Sequence, residues 1–332
     1  MATYKGIKGF KVQTLAADPV ATAAWASAPA LNTGRNAGAG IGIATAAVAA
    51  AGANSPTGYT SNVEEYNGTA WSEDTNMPTP ITGFSACGIL TAGLIFGGYN
   101  APPLPGNRDE TEEYDGTTWT GGGTMPRLFT EGGGCGTQGA GLAICGNPGA
   151  TTTSEEYNGT SWASGGTVNN GRERNCGIGT QTAAMTCGDN VPTGPGAGWL
   201  AEEYNGTSWT NGNEMNTGRD ASASPGGGTQ TAGIIATGNP GNKDAVETYD
   251  GTSFSTATAM PAGRSEAYGT GSSPAGNYLV TGGAPGYLTT TFIYNENSEP
   301  NTFLNEGQVW YNSTGGTLKF YNGTTVKTVT VS

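Results

Sequence analysis

The sequence predicts an all-β protein: a closed six-bladed propeller with a small β subdomain built from the chain termini. Three observations carry this expectation. First, one phrase recurs: EEYNGTSW at 155–162 and 202–209, EEYNGTAW at 64–71, EEYDGTTW at 112–119 and ETYDGTSF at 247–254. Second, the tyrosines of this phrase (Tyr66, Tyr114, Tyr157, Tyr204 and Tyr249) are spaced by 48, 43, 47 and 45 residues, and a further step of 45 lands on Tyr294. A period in the mid-forties is that of one four-stranded blade. Third, the sixth unit has no NGTSW-like segment after Tyr294, whereas 21–35 holds Trp25 and Arg35 with no tyrosine strand before them.

Each unit opens with a small-residue segment such as GCGTQGAG (134–141) or GGGTQTAG (226–233). This is expected to be the innermost strand, because blades crowd together near the axis and only small residues permit that approach. An apolar strand ending in glycine follows, as in LIFGG (94–98), LAICG (142–146), AMTCG (184–188) and YLVTGG (278–283). The third strand ends at the repeat tyrosine. The fourth begins at Trp71, Trp119, Trp162, Trp209 or Phe254. The Asn-Gly or Asp-Gly between them predicts a two-residue type I′ turn, with the two aromatics packing as a pair between blades.

An arginine follows five of the six fourth strands: Trp25 leads to Arg35, Trp162 to Arg172, Trp209 to Arg219 and Phe254 to Arg264, each ten residues on, and Trp119 to Arg127 after eight. The second unit has Ile81 there instead. For closure, a strand within 21–31 is expected to dock beside 289–296, so that Trp25 partners Tyr294 and no sheet edge is left open. Outside the ring, 1–20 reads as an anchoring segment and 297–332 as a meander of three strands at 307–313, 317–321 and 325–331, with KGIKGFKVQTLA (5–16) as a further candidate strand.

This combination resembles the kelch-type propellers, over roughly 22–295. The pattern of that family is a Gly-Gly doublet, then Tyr, then Trp, then Arg after a Met-Pro-like turn, here Met77-Pro78, Met125-Pro126 and Met260-Pro261. The doublet is full only at Gly97-Gly98 and Gly282-Gly283. The termini resemble segments of bacteriophage tail and fibre proteins: GQVWYNSTGGTLKFYNGT (307–324) is similar to their short terminal hairpin modules, and MATYKGIKGFKVQTLAADP (1–19) to the start of kelch-like virion proteins. The resemblance implies a virion component, assembled in the host cytoplasm, that contacts other virion proteins through its terminal segments and forms a homo-oligomer.

Composition narrows the chemistry. The chain of 332 residues has 58 glycines, 12% charged residues and a net charge of −13, which disfavours a nucleic-acid or anionic-membrane surface. It has no histidine, which removes the Ser-His-Asp triad, histidine metal sites and a histidine general base. Cys87, Cys135, Cys145, Cys176 and Cys187 form no CxxC pair and read as small buried residues. No secretory leader is expected from MATYKGIKGFKVQ, and the Ala-rich 36–53 is too short and glycine-broken for a membrane helix. No cofactor or metal is expected, EF-hand spacing being absent around Asp109 and Asp189.

The paired acids Glu64-Glu65, Glu112-Glu113, Glu155-Glu156 and Glu202-Glu203 recur once per blade, which points to structure and away from one active site. Arg35, Arg127, Arg172, Arg219 and Arg264 are placed either to ring one mouth of the channel, where they would face an anionic ligand, or to pair with these acids. The candidate ligand site is Trp199 with Asp189 and Asn190, an off-pattern aromatic beside polar groups in the long loop 188–199, suited to stacking on a sugar. The expected function is a phage structural protein, in tail or fibre, that displays the ring and serves in host attachment. A lectin-like module binding a host glycan is the alternative, and a glycan-cleaving enzyme the third reading.

Overall fold

The structure, a computed structural model, describes residues 13–15, 24–54, 58–100, 106–189, 199–220, 226–271, 277–295, 309–312, 317–321 and 326–328. All of its regular structure is β, and it divides into two compact units, residues 25–295 and the joined ends 1–24 with 296–332.

The larger unit is a six-bladed β-propeller. Blade 1 has strands Ala39–Ile43, Ala46–Asn54, Gly58–Tyr66 and Trp71–Asp74, from innermost to outermost. Blades 2 to 5 repeat this meander over 85–121, 133–164, 176–211 and 227–257. Blade 6 takes Tyr268–Gly269, Asn277–Thr281 and Thr291–Asn295 from the chain's far end and Ala24–Ala28 from its near end. The closing strand is paired to the tyrosine strand, and Trp25 and Tyr294 have ring centroids 5.2 Å apart. One sheet thus holds both ends of the ring, and the Trp25 Nε1–H also donates to the Thr258 carbonyl, 233 residues on, at the end of blade 5.

Glycine makes the crowding near the axis feasible. A Cβ on Gly40 of blade 1 would lie 2.0 Å from the carbonyl oxygen of Gly269 in blade 6, and one on Gly177 would lie 2.8 Å from the backbone of Gly134. No side chain fits between those strands. The apolar core is consequently a set of layers between neighbouring blades and not one central mass. Ile178, Met185, Ile235 and Phe254 fill the layer between blades 4 and 5, and Ile41, Val48, Ile95 and Tyr114 that between blades 1 and 2. The turn methionines Met77, Met125, Met215 and Met260 are all buried. Each such side chain contributes about 1.5–3 kcal/mol through removal from water.

The hairpin turn differs from the two-residue I′ form. Gly68, Gly116, Gly159, Gly206 and Gly251 have φ between +86° and +95°, but the Asn or Asp before each is not left-handed. The turn is one residue further on. Tyr66 faces Trp71 across the ladder, the Asn67 amide donates to the Ala70 carbonyl, and Asn67 Oδ1 accepts the backbone N–H groups of Thr69 and Ala70. The Asn or Asp serves as a side-chain cap on the turn, and glycine alone supplies the positive φ.

The smaller unit is a four-stranded sheet. Gln13–Leu15 runs parallel to Val309–Asn312, followed by Thr317–Tyr321 and Val326–Thr328 in antiparallel order. Of the 307–313 and 325–331 read from alternation, residues 307, 308, 313, 325 and 329–331 lie outside the described residues. All five cysteines are buried and no disulfide forms among the described residues. No helix among these residues is long and apolar enough to cross a membrane.

Candidate functional site

The repeated charged and aromatic residues lie between blades. In blade 5 the buried Arg219 places Nη2 2.5 Å from Glu247 Oε1 and Nη1 on the carbonyls of Thr237 and Ala245. Glu247 also accepts the backbone N–H groups of Asn216 and Thr217. The same latch joins Arg172 to Glu202 at 2.6 Å, Arg35 to Glu64 at 3.1 Å and Arg127 to Glu155 at 2.6 Å. Each arginine sits in the connection between two blades and reaches the first acid of the later one. These arginines therefore do not ring a channel mouth. Arg35, Arg172, Arg219 and Arg264 are at most 1% exposed, and no anion from solvent reaches them.

The second acid of each pair points to the opposite sheet face, as alternation along a strand requires. It accepts a hydrogen bond from the tyrosine of the next blade: Tyr114 to Glu65 (2.7 Å), Tyr157 to Glu113 (2.6 Å), Tyr204 to Glu156 (2.7 Å) and Tyr249 to Glu203 (2.7 Å). Burial and then the neighbouring carboxylate hold these four phenols above their ordinary pKa. The Tyr–Trp pair itself is a contact within one blade, with centroids 4.6 Å apart for Tyr114 and Trp119, 5.1 Å for Tyr66 and Trp71, 5.0 Å for Tyr157 and Trp162, 4.8 Å for Tyr204 and Trp209, and 4.6 Å for Tyr249 and Phe254. The pair as a unit then packs into the layer against the preceding blade, as Trp162 does on Phe96 with centroids 5.0 Å apart, and its polar ends cross as well, the tryptophans through Nε1 to Thr291, Thr75, Thr111 and Ser154.

Two blades depart from this scheme. Blade 2 lacks the arginine at Ile81, and Arg108 from its own long loop approaches Glu112 at 3.5 Å and Glu110 at 2.9 Å. Blade 6 has Phe292 where the acid would stand, and Arg264 lies over its ring at 4.9 Å. Burial without a carboxylate pushes the Arg264 guanidinium down to about 10. A third recurring contact escaped the reading of the repeat. Gln138, Gln181 and Gln230 each donate to two carbonyls of the preceding blade. Their signal was present as the Thr-Gln dipeptide at 137–138, 180–181 and 229–230.

At one end of the axis, Ala37, Gly83, Glu131, Arg174 and Glu266 come one from each of five connections, all with φ between +52° and +63°. Their backbones form a collar: Ala37 donates to Glu266, Gly83 to Ala37, Glu131 to Gly83 and Arg174 to Glu131, at 2.5–2.9 Å. The corresponding sixth connection runs into 221–225, outside the described residues. Arg174 pairs with Glu131 at 3.1 Å. Burial opposes its charge, but Glu131, Asp220 and Glu266 outweigh this and raise its pKa. The mouth is thus acidic, with one compensating cation.

Of the proposed ligand residues, Asn190 lies outside the described residues. Trp199 is 43% exposed and its indole lies against Gly218, where a Cβ would meet Nε1 at 2.1 Å. Its carbonyl accepts the Met215 N–H. Asp189 donates its backbone N–H to the Arg219 carbonyl and its carboxylate accepts the Glu173 N–H. Both residues therefore brace the turn that delivers Arg219. Among the described residues, no cluster of three His, Cys, Asp or Glu could hold a metal ion.

Off-pattern aromatics also meet at the collar face. Blade 1 has nine-residue second and third strands with a register shift between Ala50 and Gly52, and their hairpin carries Tyr59. Blade 2 adds a ribbon in which Tyr99–Asn100 pairs with Ile81–Thr82. The Tyr59 and Tyr99 rings touch edge to face, 6.1 Å apart at 84°. Beside them runs a groove of about 560 Å³, bordered also by Thr82, Asn107, Glu131 and Asn147.

Compared with known proteins, the chain matches no family model and no curated protein.

Proposed function

We propose that this chain is a non-catalytic structural protein of a bacteriophage particle, in which the ring is the displayed body and the sheet of joined ends is the anchor. The observation that carries the reading is that residues 13–15, 309–312, 317–321 and 326–328 pair with each other into a sheet of their own, while the ring is closed without them. Three or four short strands are close to the lower limit of independent stability, so such a sheet gains from a neighbour or a second copy. The likeness of 307–324 to phage hairpin modules supports another virion protein as that neighbour. The acids that would serve a glycan-cleaving mechanism are engaged in latches repeated around the ring, which supports a structural role for them.

The test is cryo-electron microscopy of purified particles from the source, with mass spectrometry of the same preparation. The expected result is the chain in the particle, in several symmetry-related copies, with the terminal sheet against a neighbour and the ring outward. A chain found only free in the lysate would sink the proposal.

A further inference from the structure

We infer that the groove between Tyr59 and Tyr99 on the collar face is a binding site for a neutral saccharide. Four features point there. Its volume of about 560 Å³ lies within the range of small-molecule sites. Its two tyrosines are half-buried, each presenting an apolar ring face and a polar tip, the combination that a sugar's C–H face and hydroxyls require. Amide side chains of Asn107 and Asn147 supply donors and acceptors together, which suits a ligand made of hydroxyls. The wall opposite the tyrosines is also set in advance: Asn147 donates to Glu131 at 2.9 Å and accepts the Gly149 N–H at 3.1 Å, while Arg174 holds the other Glu131 oxygen. A site fixed before binding loses less freedom when the ligand arrives.

The charge excludes the commonest competitor. The carboxylate at the wall is Glu131, its adjacent cation is already paired with it, and the chain as a whole carries −13, so a sulfated or sialylated glycan is repelled. The fold does not account for the two rings. Tyr59 and Tyr99 stand on a lengthened hairpin and an added ribbon, outside the aromatic positions that recur in the blades. The inference does not depend on where the chain resides, and its test reads binding alone.

The full chain is applied to an array of neutral, sialylated and sulfated oligosaccharides, followed by calorimetry with N-acetylglucosamine and glucose trimers. Retention of neutral oligosaccharides is expected. Tyr59→Ala and Tyr99→Ala each weaken binding by about tenfold, the loss of one ring contact. Tyr59→Phe and Tyr99→Phe keep most of it, with thermal melts verifying that every variant is folded. The inference is overturned if no neutral oligosaccharide is retained, if only acidic ones are, or if binding survives the double alanine variant.

Discussion

Blades 5 and 6 receive the same arginine in different surroundings. Arg219 and Arg264 both reach across to two backbone carbonyls of the blade they enter, Thr237 and Ala245 in one, Gly282 and Thr290 in the other. Arg219 then finds Glu247, whereas Arg264 finds the face of Phe292. The common part of the latch is therefore the guanidinium on the carbonyls, which ties adjacent strands of one blade to the connection from the previous one. The carboxylate is a second layer. It neutralises the buried charge and accepts two N–H groups of the incoming turn, as Glu247 does from Asn216 and Thr217. Where it is missing, an aromatic face takes the cation, a weaker partner worth about 0.5–2 kcal/mol.

This contrast is open to measurement. Arg219→Met strands the buried Glu247 without its cation, and a loss of about 3–5 kcal/mol is expected in chemical unfolding. Equal losses for Arg219→Met and Arg264→Met would break the distinction drawn here. A smaller effect, about 1.5–3 kcal/mol, is expected from Tyr114→Phe, which removes a hydrogen bond to a charged group on the opposite sheet face. Arg264→Met takes the donor from two carbonyls and the Thr290 hydroxyl but strands no charge, so its expected cost is lower still, about 1–2 kcal/mol.

The least localised effect concerns pH. Tyr114, Tyr157, Tyr204 and Tyr249 have folded pKa values raised above the ordinary 10.0, so the protonated phenols favour the fold. Their contribution is fully present below about pH 10. It declines above that, because the unfolded chain releases these protons first. Midpoints of thermal unfolding are expected to fall from about pH 9, where the unfolded chain ionises the cysteine thiols that burial holds protonated in the fold, and further above about pH 10, with this second fall reduced in Tyr114→Phe. A flat profile to higher pH would show that the bridges are not coupled to folding.

Much of the ring was legible because a repeat repeats its physics. Six tyrosines at one period specify six blades, and the displaced Trp25 strand specifies how they close. The misread parts are those where spacing leaves two geometries open. Asn-Gly suits an I′ turn, but Asn67 Oδ1 captures the N–H groups of Thr69 and Ala70 and moves the turn by one residue. Five arginines at one period suit either a ring facing solvent or a set of latches, and only the position of the Glu partners decides. Arg108, which stands in for the missing arginine of blade 2, had no periodic signal, since it lies in an insertion.

The sequence by itself determined the number of blades, the strand order within each, the closing strand and the absence of histidine chemistry. These follow from local periodicity, turn residues and composition, which act over fewer than about fifty residues. The tertiary structure alone decided that Glu64 and Glu65, adjacent in the chain, serve different blades, one bound by Arg35 and the other by Tyr114. It alone brought Tyr59 and Tyr99 together over one groove. The reason is geometric: neighbouring strands within a blade are set by the chain, but contacts between blades are set by ring closure, and closure is a property of all six at once.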